Sequence, residues 1–203
     1  MPPSATADET PLRRKLMDAA LELFDERTWD GTNVPEIAAR AGVAVGTIYR
    51  YFPNKQALGE AVFTEAKAAF ADAVVTDAVR AADPVTAIGL VWHHQVAFAL
   101  AYPQAFSFLE HQVHGSYLRP QAYEVVHRLD AELVEILRAA QAAGAVRAGD
   151  PQVLLSMAFG AFVGVTKHSR ASGVPLGEYD LEGVREAVMS LIGLTGPDSP
   201  DAG

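Results

Sequence analysis

The stretch 41-AGVAVGTIYRYFPNKQAL-58 does not read like a core helix. Gly42 and Gly46 stand four residues apart, and Tyr49, Arg50, Tyr51 and Phe52 then follow in a row before Pro53. Lys55 comes just beyond. Working backwards, Asn33 can cap a short helix, with Glu36 three residues on as in a capping box and Pro35 tolerated in the first turn. That helix ends near Ala41, where Gly42 supplies a tight or left-handed turn. Further back, Leu12, Leu16, Ala19, Ala20, Leu23 and Phe24 recur at three- and four-residue steps and form one apolar face of a first helix. A third helix, about Val45 to Phe52, closes at Pro53, and Lys55 opens a long fourth.

Two short helices joined by a glycine turn, the second rich in polar and aromatic residues, describe a helix-turn-helix. The tight turn lets the second helix enter the major groove while the first braces it across the backbone. Ile48 and Phe52, four apart, face inward. Thr47, Tyr49, Arg50 and Tyr51 are left for DNA, with Lys55 at the start of helix four. Thr47 can bond a base or phosphate, and its methyl or that of Val45 can meet a thymine methyl. Tyrosine hydroxyls and Lys55 suit phosphate oxygens, which position without specifying. The same spacing also fits a plain αα-corner with the tyrosines as packing residues.

The run from Leu12 to Phe63 closely resembles the DNA-binding domain of tetracycline-repressor (TetR) family regulators. The resemblance lies in a basic-apolar helix ending in Leu-Phe, then Ile-Ala-x-x-Ala-Gly-Val, then Gly-Thr-Ile-Tyr-x-x-Phe and an Asn-Lys opening helix four. It covers about 50 residues without a gap. It implies base or phosphate contacts from Val45, Gly46, Thr47, Tyr49, Arg50 and Tyr51, and a phosphate contact from Lys55. Asn33 stands where the family usually has threonine and can still donate to a phosphate. Pro35 stands where some members carry a base-reading arginine, and Arg40 is no obvious substitute.

The rest of the chain is helical in pattern, with no convincing strand alternation and no internal repeat. Helices are expected from Pro84 to about Tyr102, from Pro103 through Val113, after Pro120 to Gly144, from Asp150 to about Arg170, and from Asp180. The expected fold is all-α with about nine helices: a three-helix head over 11–58, then a helical bundle over 59–195 for ligand binding and dimerisation. Residues 1–10 and 196–203 read as disordered.

Five of the six histidines lie between His93 and His127, among many aromatics. Aromatics with a few polar atoms suit a small-molecule cavity, and Trp92, His94, Phe98, Tyr102, Phe106, His111, Tyr123 and His127 are its candidate walls. A core of large side chains edged by histidines is the plainer account. No lysine lies between Arg80 and Arg138, so the expected ligand is mainly apolar and of low charge. A metal site built on His111 and His114 would lack cysteine and a fixed partner helix, so neither a metal nor a cofactor is expected. No nucleophile–base pair, phosphate loop or zincin motif appears, and no catalytic residue is assigned. An all-α metal-binding protein or enzyme using these histidines is the alternative.

The run 153-VLLSMAFGAFVGV-165 is apolar nearly all round and must be covered on more than one side. It is shorter than the roughly 20 residues that span a bilayer. Phe159, Gly160, Phe162, Val163 and Gly164, with Val184, Val188 and Leu191 of the last helix, are the expected dimer interface; a central helix buried in its own chain is the other reading.

The totals agree. The 203 residues are 50% hydrophobic and 20% charged, enough for a core. Absence of cysteine excludes a disulfide scaffold or thiolate metal site, and the N-terminus lacks a signal pattern, so a cytoplasmic protein is expected. Net charge is −9, yet 7 of the 16 cations fall in the first 58 residues. The resulting expectation is a homodimeric repressor on a palindromic operator, released by a small effector.

Overall fold

A computed structural model describes residues 10–194, which form helices α1 (Pro11–Arg27), α2 (Val34–Ala41), α3 (Val45–Tyr51), α4 (Lys55–Val74), α5 (Asp77–Ala81), α6 (Pro84–Ala101), α7 (Pro103–His111), α8 (Glu124–Ala142), α9 (Pro151–Ser172) and α10 (Leu181–Leu191). Short 3-10 turns cover Pro120–Tyr123 and Leu176–Glu178. No strand occurs among the described residues. The expected disordered ends lie outside them, apart from Thr10, whose hydroxyl accepts the Arg13 amide and caps α1.

One helix more is present than the sequence pattern gives. The apolar spacing of α4 runs on towards Asp83, but Thr76 adopts an extended conformation and accepts the Val79 amide, capping α5 as a separate turn. The helix expected to run through Val113 stops at His111, and Gln112 is extended.

The chain divides into two compact units. The first holds residues up to Asp72 together with Ala101–His127. Here α1 packs against both α2 and α7. Leu16, Leu23, Phe24, Ile37, Ile48, Leu58, Phe106 and Phe108 are fully or almost fully buried. The second unit holds Ala73–Leu100 and the residues from Arg128 on. In it Trp92 meets Phe162 edge-on at 5.3 Å, α10 packs on α9, and the Arg147 amide donates to the Ile192 carbonyl at 3.0 Å.

Candidate nucleic-acid interface and the second unit

The turn between α2 and α3 follows from its residues. Asn33 and Glu36 form the reciprocal capping box at 3.0 and 3.2 Å. Gly42 takes φ 63° and ψ 41°, where a side chain would strain the backbone. The Val43 amide donates to the Ala38 carbonyl at 2.9 Å, closing α2. Ile48 and Phe52 are buried beneath α3. The other side of α3 faces outward: Tyr49 is 52% exposed and Val45 38% exposed. Arg50 and Gly46 are exposed, and Thr47 and Tyr51 are half-buried. A Cβ at Gly46 would meet nothing within 4 Å, so the start of α3 can be approached closely.

Most cations of the head already face acids. Arg13 pairs with Glu65 at 2.5 Å, Arg14 with Asp18 at 3.5 Å, and Arg27 with Glu36 at 2.9 Å. Arg40 is bound by Glu26 and Glu22, which hold its pKa above the ordinary value; it is not free to read a base. Among the described residues, Lys15 and Arg50 make no ion pair. Asn54 caps α4 through the Ala57 amide at 2.8 Å, which fixes where Lys55 begins. The Lys55 ammonium donates to the Trp29 carbonyl at 2.5 Å and lies 4.1 Å from the centre of the Trp29 ring. Burial there lowers its pKa.

A segment absent from the sequence reading braces this head. After α7, Gln112 donates to the Phe24 carbonyl at the end of α1, 2.6 Å away. Tyr117 stacks on Trp29 at 4.0 Å, and its carbonyl accepts from Gln56 at 2.8 Å. Arg119 grips Glu60 through its main-chain amide and guanidinium, which holds the Glu60 carboxyl below its usual range. Gly59 makes the stack possible: a Cβ there would lie 2.4 Å from the Trp29 ring. A glycine inside α4 was the one sequence cue for such a close approach. The partners themselves lie 59 to 88 residues apart.

The candidate pocket residues fall in both units. In the first, Phe106 is buried against Phe70 at 6.0 Å and His111 at 6.3 Å. There too, Tyr123 stacks with His127 at 6.5 Å, and Tyr102 stands at the N-cap position of α7. In the second, Phe98 and Trp92 are buried, and the His94 Nδ1 lies 3.2 Å from the Val74 carbonyl. Two grooves open within the second unit. One, about 460 Å³, runs between α5, α6 and α8 over Val79, Ala87, Ala131, Ile136 and Ala139, with Arg80 and Glu132 on its rim. The other, about 370 Å³, lies between α6 and α10 and includes Trp92 and His93. No cluster of three or more potential metal ligands occurs among the described residues.

Of the candidate dimer residues, Phe162 and Val188 are buried inside the unit itself. Phe159, Val163 and Val184 are half-buried, and Gly160, Gly164 and Leu191 are exposed. Val153 and Met157, on the turns before Gly160 and Gly164, are 53% and 41% exposed, which shifts the uncovered stripe towards the start of α9.

Residues 16–62 match the model of bacterial regulatory proteins of the tetR family, and residues 63–187 match the tetracyclin repressor-like C-terminal domain. The chain belongs to the TetR family. The chain is also similar to curated regulators. The chain is 37% identical to the fatty acid metabolism regulator protein of Bacillus subtilis over 67 residues, 33% of this chain and 34% of that one. It is 40% identical to the regulator BetI of Escherichia coli over 63 residues, 31% and 32% of the two chains. These matches span about a third of the curated relatives' length. Among solved structures, FadR from Bacillus subtilis in complex with stearoyl-CoA has the same fold, with a TM-score of 0.72 at 23% identity over 90% of this chain and 99% of that one. No helix among the described residues is long and apolar enough to cross a membrane.

Proposed function

We propose that this TetR-family member is a cytoplasmic one-component transcriptional repressor. The observation that carries the reading is the outward face of α3, with Val45, Thr47, Tyr49 and an unpaired Arg50 above a buried Ile48. In this reading the head over 11–58 docks α3 in the major groove. Thr47 and Val45 meet base edges. Asn33, Tyr49, Tyr51 and Lys55 hold phosphates, and Arg50 reaches a base or phosphate beside the open Gly46. Two copies joined through α9 and α10 of the remaining bundle, over 59–195, would span two half-sites of a palindrome one helical turn apart.

The effector is a small, mainly apolar molecule of low charge. In support, Arg119 is engaged by Glu60 and Lys67 by Glu110 at 2.7 Å, so few cations remain for an anionic group. The ligand shifts the repressor by binding one arrangement of the heads better than the other, with a coupling of about 1–3 kcal/mol.

The test is retardation of DNA fragments selected from a genomic library. Tyr49→Phe is expected to weaken retention about equally on all fragments, and Thr47→Ala to change which fragments are preferred. If neither variant alters retention on the best fragment, the assignment of α3 is wrong. For the effector, an uncharged long-chain alcohol and stearoyl-CoA are compared as releasing agents. Release by the thioester alone would overturn the low-charge reading.

A further inference from the structure

We propose that Trp29 is a positioning residue for the phosphate contact of Lys55, and that Tyr117 keeps Trp29 in the place this contact needs. The inference rests on the DNA-binding reading above. A lysine ammonium is a point charge on a flexible stem, so a phosphate contact from it ordinarily requires ordering four carbons. Here that ordering is done in advance. The Trp29 carbonyl accepts one of three N–H groups at 2.5 Å and the indole face lies 4.1 Å away. The ammonium keeps donors for an oxygen of the DNA backbone.

The indole is itself held. It lies 5.3 Å from Phe24 on one side and stacks on Tyr117 at 4.0 Å with the planes 18° apart. Gly59, one turn beyond Lys55 on α4, leaves the space that the ring fills. Tyr117 is tied back to α7 through His114. The His114 Nε2 lies 2.8 Å from the Phe108 carbonyl, which can only accept, so Nε2 carries the proton. The Nδ1 atom then accepts from the Tyr117 hydroxyl at 2.7 Å. Burial keeps this histidine neutral by lowering its pKa. A continuous line of contacts thus runs from the end of α7 through His114, Tyr117 and Trp29 to Lys55.

The test measures binding to a mixed-sequence DNA duplex over a salt series, for the full chain, four single variants and one double variant. Lys55→Met is expected to lower the slope of log affinity against log salt by about one, or about fivefold in affinity at 0.15 M salt. Trp29→Leu is expected to do the same, and the double variant to lose no more than Lys55→Met alone. Tyr117→Leu is expected to lower the slope in the same direction, and Trp29→Phe to restore most of it. A purely structural role for Trp29 would leave the slope unchanged and multiply the two losses, which overturns the proposal. If Trp29→Leu does not fold, Trp29→Phe and Tyr117→Leu are read against Lys55→Met, and an unmoved slope in Tyr117→Leu overturns the role of the stack. A slope unmoved by Lys55→Met removes the phosphate contact, while a preference changed by Thr47→Ala would still leave the helix-turn-helix reading standing.

Discussion

The two units enclose their large side chains to different degrees, although each leaves apolar side chains in water, Val113 in the first and Val153 in the second. In the first, α1 is enclosed by α2 and α7, and Phe24, Phe106 and Phe108 are sealed inside. Of the largest fully buried side chains, only Phe162 and Ile192 belong to the second unit. That unit leaves Val153, Met157 and Leu191 in contact with water, beside two glycines whose missing side chains would meet nothing. In the function proposed above, the exposed residues of α9 and α10 are the ones a second copy covers, which would give the second unit the role of association.

The largest effect should come from Phe162, the most deeply buried aromatic of the second unit. Phe162→Ala removes the edge contact with Trp92 and is expected to destabilise the chain by about 3–5 kcal/mol in urea unfolding. A loss below about 1 kcal/mol would mean that the bundle core lies elsewhere. Next, Gly164→Arg adds a charge where the protomer has open space, so the fold should persist while association fails. Wild type at 100 times its dimer dissociation constant gains about 2.7 kcal/mol from pairing. Its melting temperature should therefore rise with concentration, and that of the variant should not. A wild-type chain that is monomeric in light scattering at micromolar concentration would erase the contrast between the units.

Smaller effects sharpen the view of the head. Glu60→Ala breaks the fork with Arg119; because that guanidinium is largely exposed and regains water, the loss should be about 1 kcal/mol. Last comes His114, whose pKa is lowered by burial in the fold. The unfolded chain then binds the proton more readily, so its contribution is intact above about pH 6.5 and is lost as pH falls from there towards the lower folded value. Melting followed from pH 7.5 to 5.5 should show a fall that is shallower in His114→Gln. An equal fall in both proteins would remove His114 as its source.

Local signals in the sequence placed the helices. Pro11, Pro35, Pro84, Pro103 and Pro151 stand in first turns, and Asn33, Asp150 and Asp180 cap where capping chemistry predicts. Gly42 marked the turn before α3. Thr76 is an equally local cap, but the apolar spacing on either side carried α4 across it. What could not be read was anything set by distant partners. Histidines counted as pocket walls share their chemistry with His114, which is fully engaged by Phe108 and Tyr117. Phe162 and Gly160 lie two residues apart on one apolar run, and only packing shows that the first faces inward and the second outward. Lys55 could be placed at the start of α4, but the carbonyl it meets comes from a turn 26 residues earlier.

The acids facing Arg13, Arg14, Arg27 and Arg40 have a consequence for life on a chromosome. A cation already neutralised by its neighbour displaces few counterions when it nears DNA, so in the proposed repressor each head would grip an arbitrary duplex weakly. Unrelated sequence outnumbers any target by about a millionfold or more and acts as a sink for proteins with a strong general affinity. In the repressor reading proposed above, the chain would escape much of that sink. A small number of copies would then keep one site occupied, and a copy that lets go would diffuse away in place of sliding along the neighbouring genome.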